Sequence, residues 1–128
     1  MNLELPEKGK EVSLENIKKI CDHYSLNDLW RKIEKDPPHK KFKCDGCSMW
    51  FDSCCGVSFY PACFIHDLKY WAGYPGEREE RLTADREFMN ELIGLGCCWC
   101  LAKLMYWGVR IFGSESLKRP FSWAFGRV

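Results

Sequence analysis

The chain has 128 residues, with 19 basic and 18 acidic side chains and a formal net charge of +1. This length suits one domain with a single modest core. Proteins that bind nucleic acids usually carry an excess of basic residues that displace counterions from the phosphates, and this chain has no such excess, which argues against nucleic-acid binding. The first residues, MNLELPEKGKEV, hold no apolar segment of the secretory-signal kind. We therefore expect a cytoplasmic protein, or one released without a Sec signal.

Cysteine and aromatic residues are both abundant. The six tryptophans, five tyrosines and eight phenylalanines suit a packed core and a lipid interface equally well. The odd number of cysteines leaves at least one thiol unpaired in a monomer, and without a secretory signal we favour reduced thiols over a disulfide framework. The nine cysteines stand at 21, 44, 47, 54, 55, 63, 97, 98 and 100.

Two short helices are predicted at the start of the chain. Ser13 can cap a helix whose apolar residues recur at a spacing of three and four. Ser25, with Asp28 three residues later, predicts a second helix from Leu26 to Lys35. The sequence Asp36-Pro-Pro ends it, because proline disfavours helix at the residue before it.

The next segment, 37–61, has glycines, serines and no helical period, and we expect irregular chain there. Pro61 suits the first turn of a helix that runs to about Trp71. After a loop of roughly ten residues, a second long helix begins at Glu79 or Thr83, bends at 94–96 and continues to Phe112. The tail, 113–128, is rich in turns and aromatic residues.

The longest apolar stretch, Leu92 to Phe112, contains Lys103 and Arg110. A lysine near the middle of a spanning helix costs roughly 2.5–3.5 kcal/mol, so we expect a buried or membrane-surface helix instead. The whole chain is predicted to be mainly α and a single domain, 1–128. It comprises an N-terminal helical segment (1–36), a core (43–112) and the tail (113–128).

The stretch ACFIHDLKY (62–70) sets a histidine beside an aspartate in a mostly apolar run. On a helix, His66 and Tyr70 share one face, and Asp67 lies about 100° round. If the next long helix returns antiparallel, Asp85 lies across from His66 and Tyr70. A neutral imidazole oriented by a carboxylate can take a proton from water, which leaves Asp67 for a hard cation such as calcium.

These residues carry a family resemblance. Cys63-x-x-His66-Asp67 followed by Tyr70 resembles the Cys-Cys-x-x-His-Asp-x-Cys-Tyr signature of secreted phospholipase A2 enzymes. Ala84-Asp85-Arg-Glu-Phe88 is similar to the Cys-Asp-x-x-Phe/Ala segment of their second active-site helix. The loop beginning at Cys44 and the tail also resemble small bacterial and phage proteins with this core. The match covers roughly 43–96.

The resemblance implies a fold and a reaction. The fold would have two antiparallel active-site helices, an irregular calcium-loop region and, here, extra N-terminal helices. The reaction would be calcium-dependent cleavage of the sn-2 ester of glycerophospholipids. His66 matches the general base, Asp85 its orienting residue and Tyr70 the supporting tyrosine. The calcium ligands would be the Asp67 carboxylate and three carbonyls, those of Gly46, Ser48 and Trp50.

This chain also departs from the family pattern. Ala62 and Lys69 stand where the signature has its first and third cysteines, so family disulfides cannot be carried over. Two other interpretations stay open. Cys44, Cys47, Cys63 and His66 have the spacing of a structural zinc site, which would make the chain a zinc-stapled interaction module. Alternatively, the chain keeps the family fold without catalysis.

Aromatic and basic residues flank the predicted site. Together they would suit docking at an anionic phospholipid membrane, and packing within the domain would explain the aromatic ones equally well. The sequence leaves the oligomeric state open. The residues of this collar are Trp50, Phe51, Phe59, Tyr60, Lys40, Lys41 and Lys43.

Overall fold

A computed structural model of the chain describes residues 5–7, 9–44, 53–54, 57–117 and 122–127. At 53, 54 and 57 it describes the backbone. This part of the protein is mainly helical, as the sequence predicts. The helices are α1 (Leu14–His23), α2 (Asn27–Lys35), α3 (Tyr60–Ala72), α4 (Arg78–Gly94) and α5 (Trp99–Phe112), followed by a 3-10 turn at Glu115–Leu117.

Two small antiparallel ladders accompany the helices. Strand β1 (Glu11–Val12) pairs with β2 (Phe42–Lys43), which ties the segment before α1 to the segment after α2. Strand β3 (Ser53–Cys54) pairs with β4 (Val57–Ser58) immediately before α3. In its described parts, the predicted irregular segment 37–61 contains two-residue strands and, at 60–61, the first residues of α3.

Both predicted N-terminal helices are present, but only the first is capped as predicted. The Ser13 side chain accepts a hydrogen bond from the Asn16 amide and caps α1. Ser25 is not the cap of α2, because it has a φ of 59° and belongs to the end of α1. Its amide binds Asp22 O, and the Leu26 amide binds Cys21 O, which is the Schellman pattern of a helix C-terminus. Leu26 precedes α2 without a side-chain cap.

Helix α3 lies at the centre of the molecule. Its first turn contains Pro61, as predicted, and ten of its thirteen residues are buried. One core cluster joins α3 to α1, α2 and the first ladder through Phe42, Phe64 and Trp71. A second cluster joins it to α4 and α5 through Phe88 and Met105. Because neighbours cover several sides of α3, polar side chains on it are buried together with apolar ones.

The second long helix predicted from the sequence is two helices. α4 starts at Arg78, so the connection after α3 is residues 73–77 and is shorter than expected. α4 ends at Gly94, where the chain turns through Gly96, whose φ is 107°, and α5 starts at Trp99. Within the described residues, no helix is both long and apolar enough to cross a membrane.

The described part of the tail packs on the end of α3. The Ala124 amide donates to Tyr70 O, and Arg127 Nε donates to Ala72 O, so two carbonyls of the last turn of α3 have partners. Trp123 is buried and packs edge-on against the Tyr70 ring. The predicted turn-rich aromatic tail is therefore part of the folded unit. The division into three segments stays a prediction.

Candidate active site

The site lies between α3 and α4, and its polar side chains are buried. α3 carries His66, Asp67 and Tyr70, which are 6%, 9% and 1% exposed. α4 carries Asp85, which is fully buried. Burying such groups without partners would cost several kcal/mol, so the geometry of their hydrogen bonds decides whether they form a site.

One carboxylate oxygen joins the imidazole and the phenol. His66 Nε2 lies 2.7 Å from Asp85 Oδ1, and the Tyr70 hydroxyl donates to the same oxygen at 2.6 Å. The His66 ring also packs against the rings of Tyr70 and Phe88, with centroid separations of 4.3 and 4.6 Å. The structure therefore brings together the three residues that the sequence predicts as a catalytic group, while their role stays a prediction.

The contacts between α3 and α4 run in opposite directions along the chain. His66 packs against Phe88, whereas Tyr70, one turn later on α3, contacts Arg81, which precedes Phe88 on α4. The two helices are therefore antiparallel at the site. This is the arrangement on which the predicted contact between His66 and Asp85 depends.

Two arginines that the sequence analysis missed complete the surroundings of Asp85. Arg110 Nη1 of α5 donates to Asp85 Oδ2 at 2.8 Å. Arg81 Nε lies 3.9 Å from the same oxygen and donates to the Tyr70 hydroxyl at 3.1 Å. Arg81 Nη2 also donates to the carbonyls of Val109 and Arg110, which fixes the end of α5 against α4. The (i, i+4) spacing of Arg81 and Asp85 was a usable signal, but nothing local points to Arg110.

These contacts set the charge on the carboxylate. Burial raises the pKa of Asp85, but hydrogen bonds from His66, Tyr70 and Arg110 outweigh it and hold the pKa below its usual value. Asp85 is therefore ionised near neutral pH. An ionised carboxylate only accepts hydrogen bonds, so the proton shared with His66 belongs on Nε2.

The imidazole is neutral for a different reason. Burial lowers the pKa of His66 more than the hydrogen bond and charge of Asp85 raise it, and the nearby Lys69 and Arg81 lower it further. With the proton on Nε2, the Nδ1 atom carries the lone pair. Nδ1 has no hydrogen-bond partner among the residues that the structure describes. This arrangement suits the acceptance of a proton from a water molecule.

Asp67 contacts the residue that directly precedes the segment used in the calcium prediction. The Cys44 thiol donates to Asp67 Oδ2 at 3.4 Å. The carboxylate of Asp67 is a hard oxygen donor of the kind calcium prefers and would supply one ligand. The predicted carbonyl ligands at Gly46, Ser48 and Trp50 lie outside the described residues.

The zinc interpretation loses one of its four ligands. Cys63 is disulfide-bonded and supplies no thiolate. Cys47 lies outside the described residues, in which no group of three or more His, Cys, Asp or Glu could hold a metal ion. The disulfide at Cys63 contradicts the expectation of reduced thiols for that residue, whereas Cys21, Cys44, Cys97, Cys98 and Cys100 are not in disulfides.

The two described aromatic residues of the predicted collar pack within the domain, whereas its lysines, Lys40, Lys41 and Lys43, are exposed. Phe59 is buried in the cluster between α3, α4 and α5, and the Tyr60 hydroxyl donates to the carbonyl of Pro6. Trp50 and Phe51 lie outside the described residues. For Phe59 and Tyr60, packing within the domain is therefore the correct one of the two interpretations.

Comparisons with known proteins give no independent identification. A scan against protein-family models, a search of curated proteins and a search of solved structures each found no match to this chain.

Proposed function

We propose that this protein is a calcium-dependent phospholipase A2-like hydrolase that cleaves the sn-2 ester of glycerophospholipids. The observation that carries the proposal is the shared Asp85 oxygen, which accepts hydrogen bonds from His66 Nε2 at 2.7 Å and from the Tyr70 hydroxyl at 2.6 Å. This contact also agrees with the phospholipase A2 resemblance, in which the same three positions match the general base, its orienting carboxylate and the supporting tyrosine.

The proposed reaction uses the neutral imidazole as a general base. His66 Nδ1 accepts a proton from water as the water oxygen attacks the carbonyl carbon of the ester. When the carbon–oxygen bond to the glycerol breaks, the fatty acid leaves and Nδ1 returns the proton to the alkoxide oxygen of the lysophospholipid. Asp85 keeps the other ring proton on Nε2 throughout and stabilises the imidazolium between these steps.

The ion would be held by the carboxylate of Asp67 and by the carbonyls of Gly46, Ser48 and Trp50. When bound, calcium would supply Lewis-acid stabilisation of negative charge on the ester oxygen. The protein's own contribution on this side is a carboxylate fixed by burial on α3, with Cys44 donating to Oδ2. Asp67 follows His66 directly on the helix, so base and ligand keep a constant separation.

The test is hydrolysis of a phospholipid with a labelled sn-2 chain, in calcium and in a chelator. We expect release by the wild type in calcium, and a loss of about 10²–10⁴-fold in kcat for His66→Gln, because the general base is removed. Folding of the variant is checked by circular dichroism. His23→Gln is the matched control, since His23 lies exposed in the last turn of α1.

The outcomes separate three possibilities. Loss of activity in His66→Gln alone, with its fold intact, supports the proposal. A wild type that releases no fatty acid in calcium would contradict it and favour a silent relative of the family. Equal activity of His66→Gln and the wild type would remove His66 from the role of base. A lysophospholipid product that retains the sn-2 label would contradict the proposed bond.

A further inference from the structure

Exposed apolar side chains are concentrated in one part of the chain. Among the described residues, nine large hydrophobic side chains are exposed, and all but Leu14 fall between residues 93 and 117. Scattered exposed apolar residues are normal, but a contiguous group marks an interaction surface. The eight residues are Ile93, Leu95, Trp99, Leu104, Trp107, Ile111, Phe112 and Leu117.

The centre of this group is one side of α5. At 3.6 residues per turn, the exposed residues of α5 other than Phe112 span an arc of roughly 140°. The opposite side packs into the cluster with α4 through Ala102 and Met105. On a helix at a water-exposed surface, such an arc is normally polar. Here it consists of Trp99, Cys100, Lys103, Leu104, Trp107 and Ile111, a set that we call the α5 arc.

The charge of α5 itself has one sign. From Leu92 to Ser114 the chain has no aspartate or glutamate, and its two charged residues are Lys103 and Arg110. Arg110 is bound to Asp85, whereas Lys103 is exposed and its ammonium lies 4.6 Å from the centroid of the Trp99 ring. An apolar surface with tryptophans and an exposed lysine complements the surface of a bilayer, in which anionic headgroups cover a hydrocarbon interior.

We propose that the α5 arc binds the surface of an anionic phospholipid bilayer, with the helix lying in the plane of the interface. Tryptophan prefers the headgroup level, and lysine can bury its methylenes while its ammonium stays in water. α5 has fourteen residues and is therefore only about 21 Å long, shorter than the roughly 30 Å hydrocarbon core. The arc accordingly lies on the bilayer and does not cross it.

A second copy of the chain fits the arc less well. Two-fold pairing through this face would bring the exposed lysine of each copy, Lys103, into the middle of a dry contact, and lysine is depleted from the cores of protein interfaces. At a bilayer the same ammonium meets anionic headgroups. The observed composition therefore favours lipid as the occupant.

The experiment is co-sedimentation of the full chain with vesicles in the presence of a chelator, so that binding is measured without turnover. One set of vesicles contains phosphatidylcholine alone, and the other contains phosphatidylcholine with phosphatidylglycerol. We expect binding to the anionic vesicles and a tryptophan fluorescence shift to shorter wavelength. The variant Trp99→Ser/Trp107→Ser should bind at least about tenfold more weakly, because two half-exposed indoles lose their burial in lipid.

Two further variants keep the result interpretable. Lys103→Glu should lose the preference for anionic vesicles. Leu14→Ser on α1 should bind like the wild type, because Leu14 is an exposed apolar residue outside this region. Binding of the double variant equal to that of the wild type would overturn the proposal. So would the absence of binding, or a wild-type dimer in sedimentation that the double variant abolishes.

The role of this surface as the membrane contact of a hydrolase depends on the proposed function, but the binding does not. Vesicle binding without fatty acid release would leave the α5 arc in place and reject the hydrolase. Fatty acid release from dispersed substrate without vesicle binding would support the hydrolase and reject the α5 arc as a membrane-binding surface.

Discussion

At the residue scale, Asp85 decides the character of the site. It is fully buried, and each of its two oxygens has partners, with His66 and Tyr70 on Oδ1 and Arg110 on Oδ2. The arginine compensates the negative charge from the side away from the histidine. The carboxylate can therefore stay ionised inside the protein while the imidazole stays neutral, which is the pair of states that a general base needs.

Replacing Arg110 tests this balance. We expect Arg110→Gln to lower the free energy of unfolding by about 1–3 kcal/mol, because Asp85 Oδ2 loses a charged hydrogen-bond donor within the protein. Urea denaturation followed by circular dichroism measures the change. Arg86→Gln is the matched control, since Arg86 is next to Asp85 on α4 but is exposed. Equal stability of the two variants would contradict the role assigned to Arg110.

At the element scale, the pairing of α3 with α4 followed from local signals, but the ends of several helices did not. His66, Tyr70 and Asp85 could be predicted to meet because a four-residue spacing fixes one face of α3, on the condition that the next helix returns antiparallel. Ser25 was misassigned because serine is common both at helix N-caps and in turns. Its role depended on whether α1 ended there, which the contacts of α1 decide.

Gly113 shows how closely α5 and its tail approach the site. A Cβ atom built at Gly113 would lie 2.6 Å from the Val109 carbonyl oxygen and 2.8 Å from Cε2 of Tyr70. α5 ends at this glycine, and the tail turns back from it toward α3. A side chain at this position would push the end of α5 away from Tyr70.

We expect Gly113→Ala to lower the free energy of unfolding by about 1–3 kcal/mol, the usual range for overpacking of a filled region. Chemical denaturation measures it. Gly94→Ala is the matched control, because Gly94 ends α4 and a Cβ there meets nothing within 4 Å. That control should change stability by less than about 1 kcal/mol, in the favourable direction, since alanine favours helix. A neutral Gly113→Ala would mean that the tail does not pack as described.

At the scale of the whole molecule, the tail joins the helices into one unit. Trp123 Nε1 donates to the carbonyl of Tyr74 at 2.8 Å, and its ring centroid lies 5.1 Å from that of Tyr70. Arg127 binds Ala72 O from the same segment. The last turn of α3, which carries Tyr70 of the site, is therefore held by residues more than fifty positions later in the chain.

Removing the indole tests this arrangement. We expect Trp123→Ala to lower the free energy of unfolding by about 3–5 kcal/mol, as for other buried tryptophans. The loss should be the same whether unfolding is followed by ellipticity or by fluorescence, because one cooperative unit loses its packing. Trp107→Ala is the control on the exposed arc and should cost less than about 1 kcal/mol. Separate transitions for the two probes would contradict a single unit.

From the sequence by itself we could predict the mainly helical class, the start of α1, the position of Pro61 in α3 and the proximity of His66, Tyr70 and Asp85. These follow from spacing and from capping, which act over a few residues. Only the tertiary structure decided the burial of Phe59, the separation of α4 from α5 and the contact of Arg110 with Asp85. Such features depend on which helix faces pack together, and residues far apart in the chain fix that packing jointly.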